Sequence, residues 1–228
     1  MAEAADIGGS LPLSWSSLAC VAVDCQRMHL WRTLVTGPDD TPYAGGCFVF
    51  DIRLPPNYPT DPPEVKLLTT GGGTVRFNPN LYADGKVCLS LLGTWMGDVG
   101  ERWHPDTSTV LQVLLSIQAL ILVPDPFFNE PGFERDRGTP SGDERSKSYN
   151  RAVRENCVKW AMIDQLRKRP APFGEVVEAH FARKGAHILA QVEGWVAQAD
   201  DQPHRERLSR LRDELRTELR KIGAVPGG

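Results

Sequence analysis

Of the five cysteines in the chain, Cys88 is the one whose surroundings could do chemistry. It closes the segment 75–89, Val-Arg-Phe-Asn-Pro-Asn-Leu-Tyr-Ala-Asp-Gly-Lys-Val-Cys-Leu. Asn78-Pro79-Asn80 is a rigid turn, a loop bearing Gly85 follows, and an apolar run begins at Leu89. Such a backbone holds one thiol on an irregular, accessible loop with amide donors close by, the setting that a thiolate nucleophile needs. Cys20, Cys47 and Cys157 lie inside apolar or periodic runs and are expected to be small buried hydrophobes, with Cys25 an inert turn residue. The odd count, the scattered spacing and the lack of Cys-x-x-Cys fit reduced thiols in a cytosolic or nuclear protein. The five His do not cluster with Cys at zinc-ligand spacing, so no metal and no other cofactor is expected.

The elements that must position this thiol change period along the chain. Segments 18–23, 29–36, 47–54 and 64–70 are short, rich in β-branched or aromatic residues, and bounded by Gly, Pro or Asp, which makes them strands. Tight turns at 36–40 and 55–59 join them into a four-stranded antiparallel meander. Beyond Cys88 the spacing becomes helical. Residues 108–123 carry Val110, Leu111, Leu114, Leu115, Ile117, Leu120 and Ile121, with Thr107 or Ser108 as N-cap and Pro124 as the stop. Further helices are expected over 144–167, 173–199 and 205–222, the last with Leu208, Leu211, Leu215, Leu219 and Ile222 at steps of three or four. Strands first and helices after them give an α+β fold rather than alternating βαβ units.

The totals narrow the function classes. With 228 residues and 41% hydrophobic content, the chain can bury one real core plus an appendage. A net charge of −3 argues against nucleic acid as a partner. The longest apolar run, 110–123, is interrupted by Gln112, Ser116 and Gln118 and falls short of the roughly 20 residues that span a bilayer, so no membrane partner is expected. Residues 1–17 are small, acidic and rich in Gly and Ser, read as a flexible lead-in without an export signal.

Three motifs together resemble a known family. Gly37-Pro38-Asp39-Asp40-Thr41-Pro42-Tyr43-Ala44-Gly45-Gly46-Cys47-Phe48 is similar to the strand-turn signature of ubiquitin-conjugating enzymes. Tyr58-Pro59-Thr60-Asp61-Pro62-Pro63-Glu64-Val65 resembles their Tyr-Pro-x-x-Pro-Pro-x-Val. Pro79-Asn80 followed by Cys88 resembles their catalytic signature of His-Pro-Asn, a short loop and Gly-x-[Ile/Val]-Cys. The likeness covers roughly residues 18–168 and leaves 169–228 as a helical C-terminal extension. A narrower resemblance, to very large hybrid conjugating enzyme/ligases of the inhibitor-of-apoptosis type, is carried by Asn78-Pro79-Asn80-Leu81-Tyr82, the 95–103 insertion, 128–134, 137–142 and 158–162.

The resemblance implies that Cys88 accepts ubiquitin as a thioester from the activating enzyme and passes it to a substrate lysine, with a ubiquitin ligase as a further partner. It implies that Asn80 donates to the oxyanion formed when the amine attacks. It places Glu130, ahead of Asn129 or Asp125, where the family has an acidic residue that positions the amine. Tyr82 would shape the slot, and Asn78 and Pro79 would hold the loop. Two departures stand out. Asn78 replaces the family's His, and the residues before Leu18 show no helical period where the family begins with a helix that docks the activating enzyme. Two other readings follow from the residues. One is a non-catalytic ubiquitin- or ligase-binding module of the same fold. The other is a cysteine protease, which would need a His base near the thiol, where His104 is the nearest in sequence. Trp95 and Trp103 either pin their loop to the core or meet a substrate or ligase.

Overall fold

The computed structural model describes residues 3, 7, 9–12 and 14–226. Strands β1 (Ala19–Val23), β2 (Leu30–Thr36), β3 (Cys47–Arg53) and β4 (Glu64–Leu67) pair in that order, all antiparallel. Register follows the alternation expected of a pleated sheet. Trp31, Thr33 and Val35 oppose Ile52, Phe50 and Phe48 on one face, and Arg32 and Leu34 oppose Asp51 and Val49 on the other. β4 stops at Leu67 rather than reaching residue 70. Beyond it the Thr69 hydroxyl, not a backbone carbonyl, accepts from Val49 N at 3.0 Å, so the ladder ends in a side chain.

Helix α1 (Val110–Ser116) runs into a wide turn over Ile117–Ile121. Its N-cap is Thr109, not Thr107 or Ser108. Thr109 and Gln112 form a reciprocal capping box, whereas the Ser108 hydroxyl accepts from His104 N. Helix α2 (Pro140–Asn156) starts four residues before the expected 144. Pro140 pre-sets the first helical turn and Thr139 accepts from Gly142 N. α2 passes through a second wide turn, Cys157–Ile163, into α3 (Asp164–Lys168).

The extension consists of α4 (Gly174–Ala197) and α5 (Gln202–Lys221). Its apolar stripe packs inward: Val177, Phe181, Ile188, Val192, Leu208, Leu215 and Leu219 join one hydrophobic cluster with Phe48, Phe77, Leu114 and Ile117. Polar ties reinforce the contact. His180 Nε2 and Gln191 Nε2 lie 3.0 Å from the carbonyls of Gly45 and Ala44, and buried Lys184 donates to Trp15 O at 2.6 Å. His204 lies 2.6 Å from Glu155 of α2.

The lead-in is anchored where it is described, which corrects the expectation of a loose segment at those positions. Glu3 and Ile7 have helical backbone, and Ile7 is buried in the core. The Glu3 carboxylate accepts from Val110 N, the first residue of α1, at 2.7 Å and from the Tyr58 hydroxyl. The rest of the expected lead-in, residues 1, 2, 4–6, 8 and 13, lies outside the described residues.

Candidate active site

The Asn-Pro-Asn turn is fixed from below by aromatic packing. Tyr43, Phe48 and Phe77 stack edge to face at 5.8 and 5.2 Å between centroids, and the Tyr43 hydroxyl donates to Phe77 O at 2.8 Å. Asn78, fully buried, is the hub. Its Nδ2 donates to Ile121 O at 2.7 Å and to the Tyr43 hydroxyl at 3.1 Å, while Oδ1 accepts from Asn80 N at 2.8 Å and from Asn129 Nδ2 at 3.4 Å. An amide suits this position because it supplies two donors and an acceptor at once. Asn78 thereby ties the turn to the end of α1's wide turn.

Asn80 is also buried, and its Nδ2 donates to the Cys88 carbonyl at 2.9 Å; Cys88 N donates back to Asn80 O at 2.9 Å. The two residues that the spacing singled out thus face each other across paired hydrogen bonds. In this state the Asn80 amide grips the backbone that carries the thiol. Gly85 lies between them with φ of +93°, and a Cβ there would come within 2.5 Å of Leu67 O, so only glycine fits. After Cys88, the Thr94 hydroxyl accepts from Leu89 N at 3.0 Å and donates to Val87 O at 2.8 Å, closing the far side of the loop.

Cys88 itself is 2% exposed, so it is covered rather than standing open as expected. Burial raises the thiol above its ordinary value. Lys86 and then Arg76 act in the opposite direction, and Asp84 adds a smaller push upward. Of the other cysteines, Cys47 and Cys157 are fully buried as their runs suggest, with thiols pushed far up by burial, whereas Cys20, expected to be buried, is half-buried; Cys25 is exposed.

The three acidic-position residues are dispersed to different partners. Asp125 accepts from the Ser146 hydroxyl at 3.1 Å and pairs with Arg137 at 3.6 Å. Asn129 joins Asn78 and donates to Leu120 O at 2.9 Å. Glu130 pairs with Arg76 at 3.3 Å, and the same Arg76 nitrogen donates to Pro79 O at 2.7 Å. Arg76 also lies 4.3 Å from the centre of the Tyr82 ring. Sequence reasoning passed over Arg76; its place two residues before the Asn-Pro-Asn turn was the available signal. Trp103 donates to Pro59 O at 2.7 Å and packs on Tyr58, which pins the 95–103 loop to the 55–59 turn, whereas Met96 is 92% exposed.

An antiparallel meander backed by helices holds the Cys88 thiol opposite an Asn-Pro-Asn turn, an arrangement in which a cysteine can carry an acyl group. A model of the family described as ubiquitin-conjugating enzyme matches residues 14–157, and the chain belongs to that family. The human dual E2 ubiquitin-conjugating enzyme/E3 ubiquitin-protein ligase BIRC6 is 49% identical over 236 residues, covering 99% of this chain and 5% of that protein. Probable ubiquitin-conjugating enzyme protein 17 of Caenorhabditis elegans is 47% identical over 211 residues, covering 92% of this chain and 29% of its own length. Human ubiquitin-conjugating enzyme E2 Z is 48% identical over 162 residues, 70% of this chain and 42% of its own. The chain thus spans less than half the length of each of these relatives.

Proposed function

We propose that this chain is a ubiquitin-conjugating transferase that carries ubiquitin as a thioester on Cys88 and delivers it to a lysine of a substrate protein. The observation that carries this reading is the reciprocal pairing of Asn80 with Cys88, which fixes the thiol's backbone against an amide side chain. In the loading step the Cys88 thiolate attacks the ubiquitin carbonyl held on the activating enzyme's cysteine; a new C–S bond forms and the donor thiolate leaves. The activating enzyme's use of ATP drives this step. In the transfer step a neutral lysine amine attacks the thioester carbonyl, an oxyanion forms, the C–S bond breaks, and the amine's proton passes to solvent. Asn80 has a second amide hydrogen besides the one given to Cys88 O, and it is the group that meets the oxyanion. Glu130, with Tyr82, borders the amine's approach.

Ubiquitin, its activating enzyme, substrate lysines and a ubiquitin ligase are the partners, in the cytoplasm or nucleus. The names of the relatives support a hybrid conjugating enzyme/ligase as the larger setting. The 2% exposure of Cys88 favours the second reading, a module that binds ubiquitin or a ligase without chemistry. Incubation with activating enzyme, ubiquitin and ATP, read on a non-reducing gel, separates the two. A band that shifts by one ubiquitin and collapses with thiol supports the transferase; no shift favours the module.

A further inference from the structure

Arg76 makes contacts out of proportion to what its charge can contribute. Its side chain is 42% exposed and that of Glu130 is 37% exposed, and an ion pair so open to solvent adds little to stability. Yet its guanidinium reaches three residues on two separate pieces of chain. It donates to Pro79 O at 2.7 Å inside the Asn-Pro-Asn turn, and to Glu130 Oε2 at 3.3 Å. It also covers the Tyr82 ring at 4.3 Å, a ring that Lys86 Nζ approaches to 5.5 Å. A planar fork can hold several acceptors at fixed angles, which an ammonium cannot. Tyr149 of α2 is a further neighbour of the pair: burial pushes its hydroxyl up to about 12, with Arg76 drawing it down and Glu130 raising it further. The charged groups felt by Cys88 are Lys86, Arg76 and Asp84. Two cations and a tyrosine ring therefore form one wall against the Asn-Pro-Asn turn, whose Asn80 pairs with Cys88.

We propose that Arg76 is a positioning residue, whose guanidinium joins the Asn-Pro-Asn turn, Tyr82 and Glu130 into the wall of the slot through which an amine reaches Cys88. The proposal rests on the transferase reading above. Arg76 does not touch the reacting atoms; it holds Glu130 where an amine can meet it. An acidic residue left to swing on its own would present the amine in many orientations, and misplacement by an ångström costs on the order of 10²-fold in rate.

Two variants separate the fork from the charge. Arg76→Lys keeps the charge and loses the fork; Arg76→Gln loses both. After loading, discharge to free lysine should show kcat/KM reduced roughly 10- to 100-fold in both variants, mostly through kcat, with thioester formation little changed in Arg76→Lys. Arg76→Lys combined with Glu130→Gln should be no slower than either single variant, because one acts through the other. Wild-type discharge kinetics in Arg76→Lys, or additive losses in the double variant, would overturn the positioning role. Alkylation of Cys88 by iodoacetamide across pH needs no ubiquitin. Its profile in Arg76→Lys should match the wild type, because the thiol keeps its setting, and a displaced profile overturns a role confined to the amine's slot. If the wild type fails to load, the transferase reading falls while the alkylation profiles still decide what Arg76 does to the thiol.

Discussion

Replacing Asn78 by Ala should unfold the motif from inside. Asn78 is fully buried and spends its whole hydrogen-bonding capacity on the chain around it. In Asn78→Ala the Tyr43 hydroxyl keeps Phe77 O as its acceptor, and Asn129 Nδ2 keeps Leu120 O. Asn80 N–H and Ile121 C=O keep no equivalent of the bonds they made at 2.8 and 2.7 Å. Each orphaned buried group costs about 1–3 kcal/mol. A small void in place of the amide adds to this, giving a total of about 3–5 kcal/mol. For a chain of this size that corresponds to a Tm lower by roughly 10 °C. Urea unfolding followed by tryptophan fluorescence, with a thermal melt in parallel, measures both. Asn78→Asp has the same shape but only acceptors at pH 7. It should be at least as unstable as the Ala variant and recover on acidification, because burial raises the carboxyl and its protonated form can donate to Ile121 O. A loss below 1 kcal/mol in Asn78→Ala would refute the idea that this one amide organises the turn.

Other outcomes follow from the same geometry. Asn80→Ala should load ubiquitin and discharge it to lysine about 10²–10³ more slowly, as seen in single-turnover chase assays; equal chase rates would remove the oxyanion role. Gly85→Ala should lower Tm by more than about 5 °C, since its Cβ would strike Leu67 O and its φ is +93°, and an unchanged melt would contradict this. Burial holds His180 below its ordinary value of 6.5, against a smaller upward pull from Gly45 O. Its contribution is therefore complete above about pH 6.5 and is lost as pH falls towards the folded value. Urea midpoints should drop between pH 7.5 and 5.5 in the wild type and drop less in His180→Gln, which keeps a donor for Gly45 O.

The strands were legible because alternation and turn residues bound them, and the register of β2 on β3 follows from burial of Phe48, Phe50 and Ile52. Helix limits were less so. The start of α2 rests on Thr139 capping and Pro140 opening the turn, signals that looked like loop composition when read alone. The end of β4 rests on Thr69 standing in for a backbone acceptor, which no pattern of hydrophobicity records. At the site, the spacing of Asn80 and Cys88 brought together two residues that hydrogen-bond directly. Cover over the thiol and the reach of Arg76 to Glu130, 54 residues away, depend on tertiary packing and left no periodic trace.

The central claim is that Cys88 alone carries the acyl group. Loading should be run on the wild type and on Cys88→Ser and Cys88→Ala, with products resolved with and without reducing agent. The wild type should form a single adduct that thiol removes, Cys88→Ser an adduct that resists thiol because its bond is an oxygen ester, and Cys88→Ala none. A thiol-labile adduct of wild-type intensity on either variant would contradict the account.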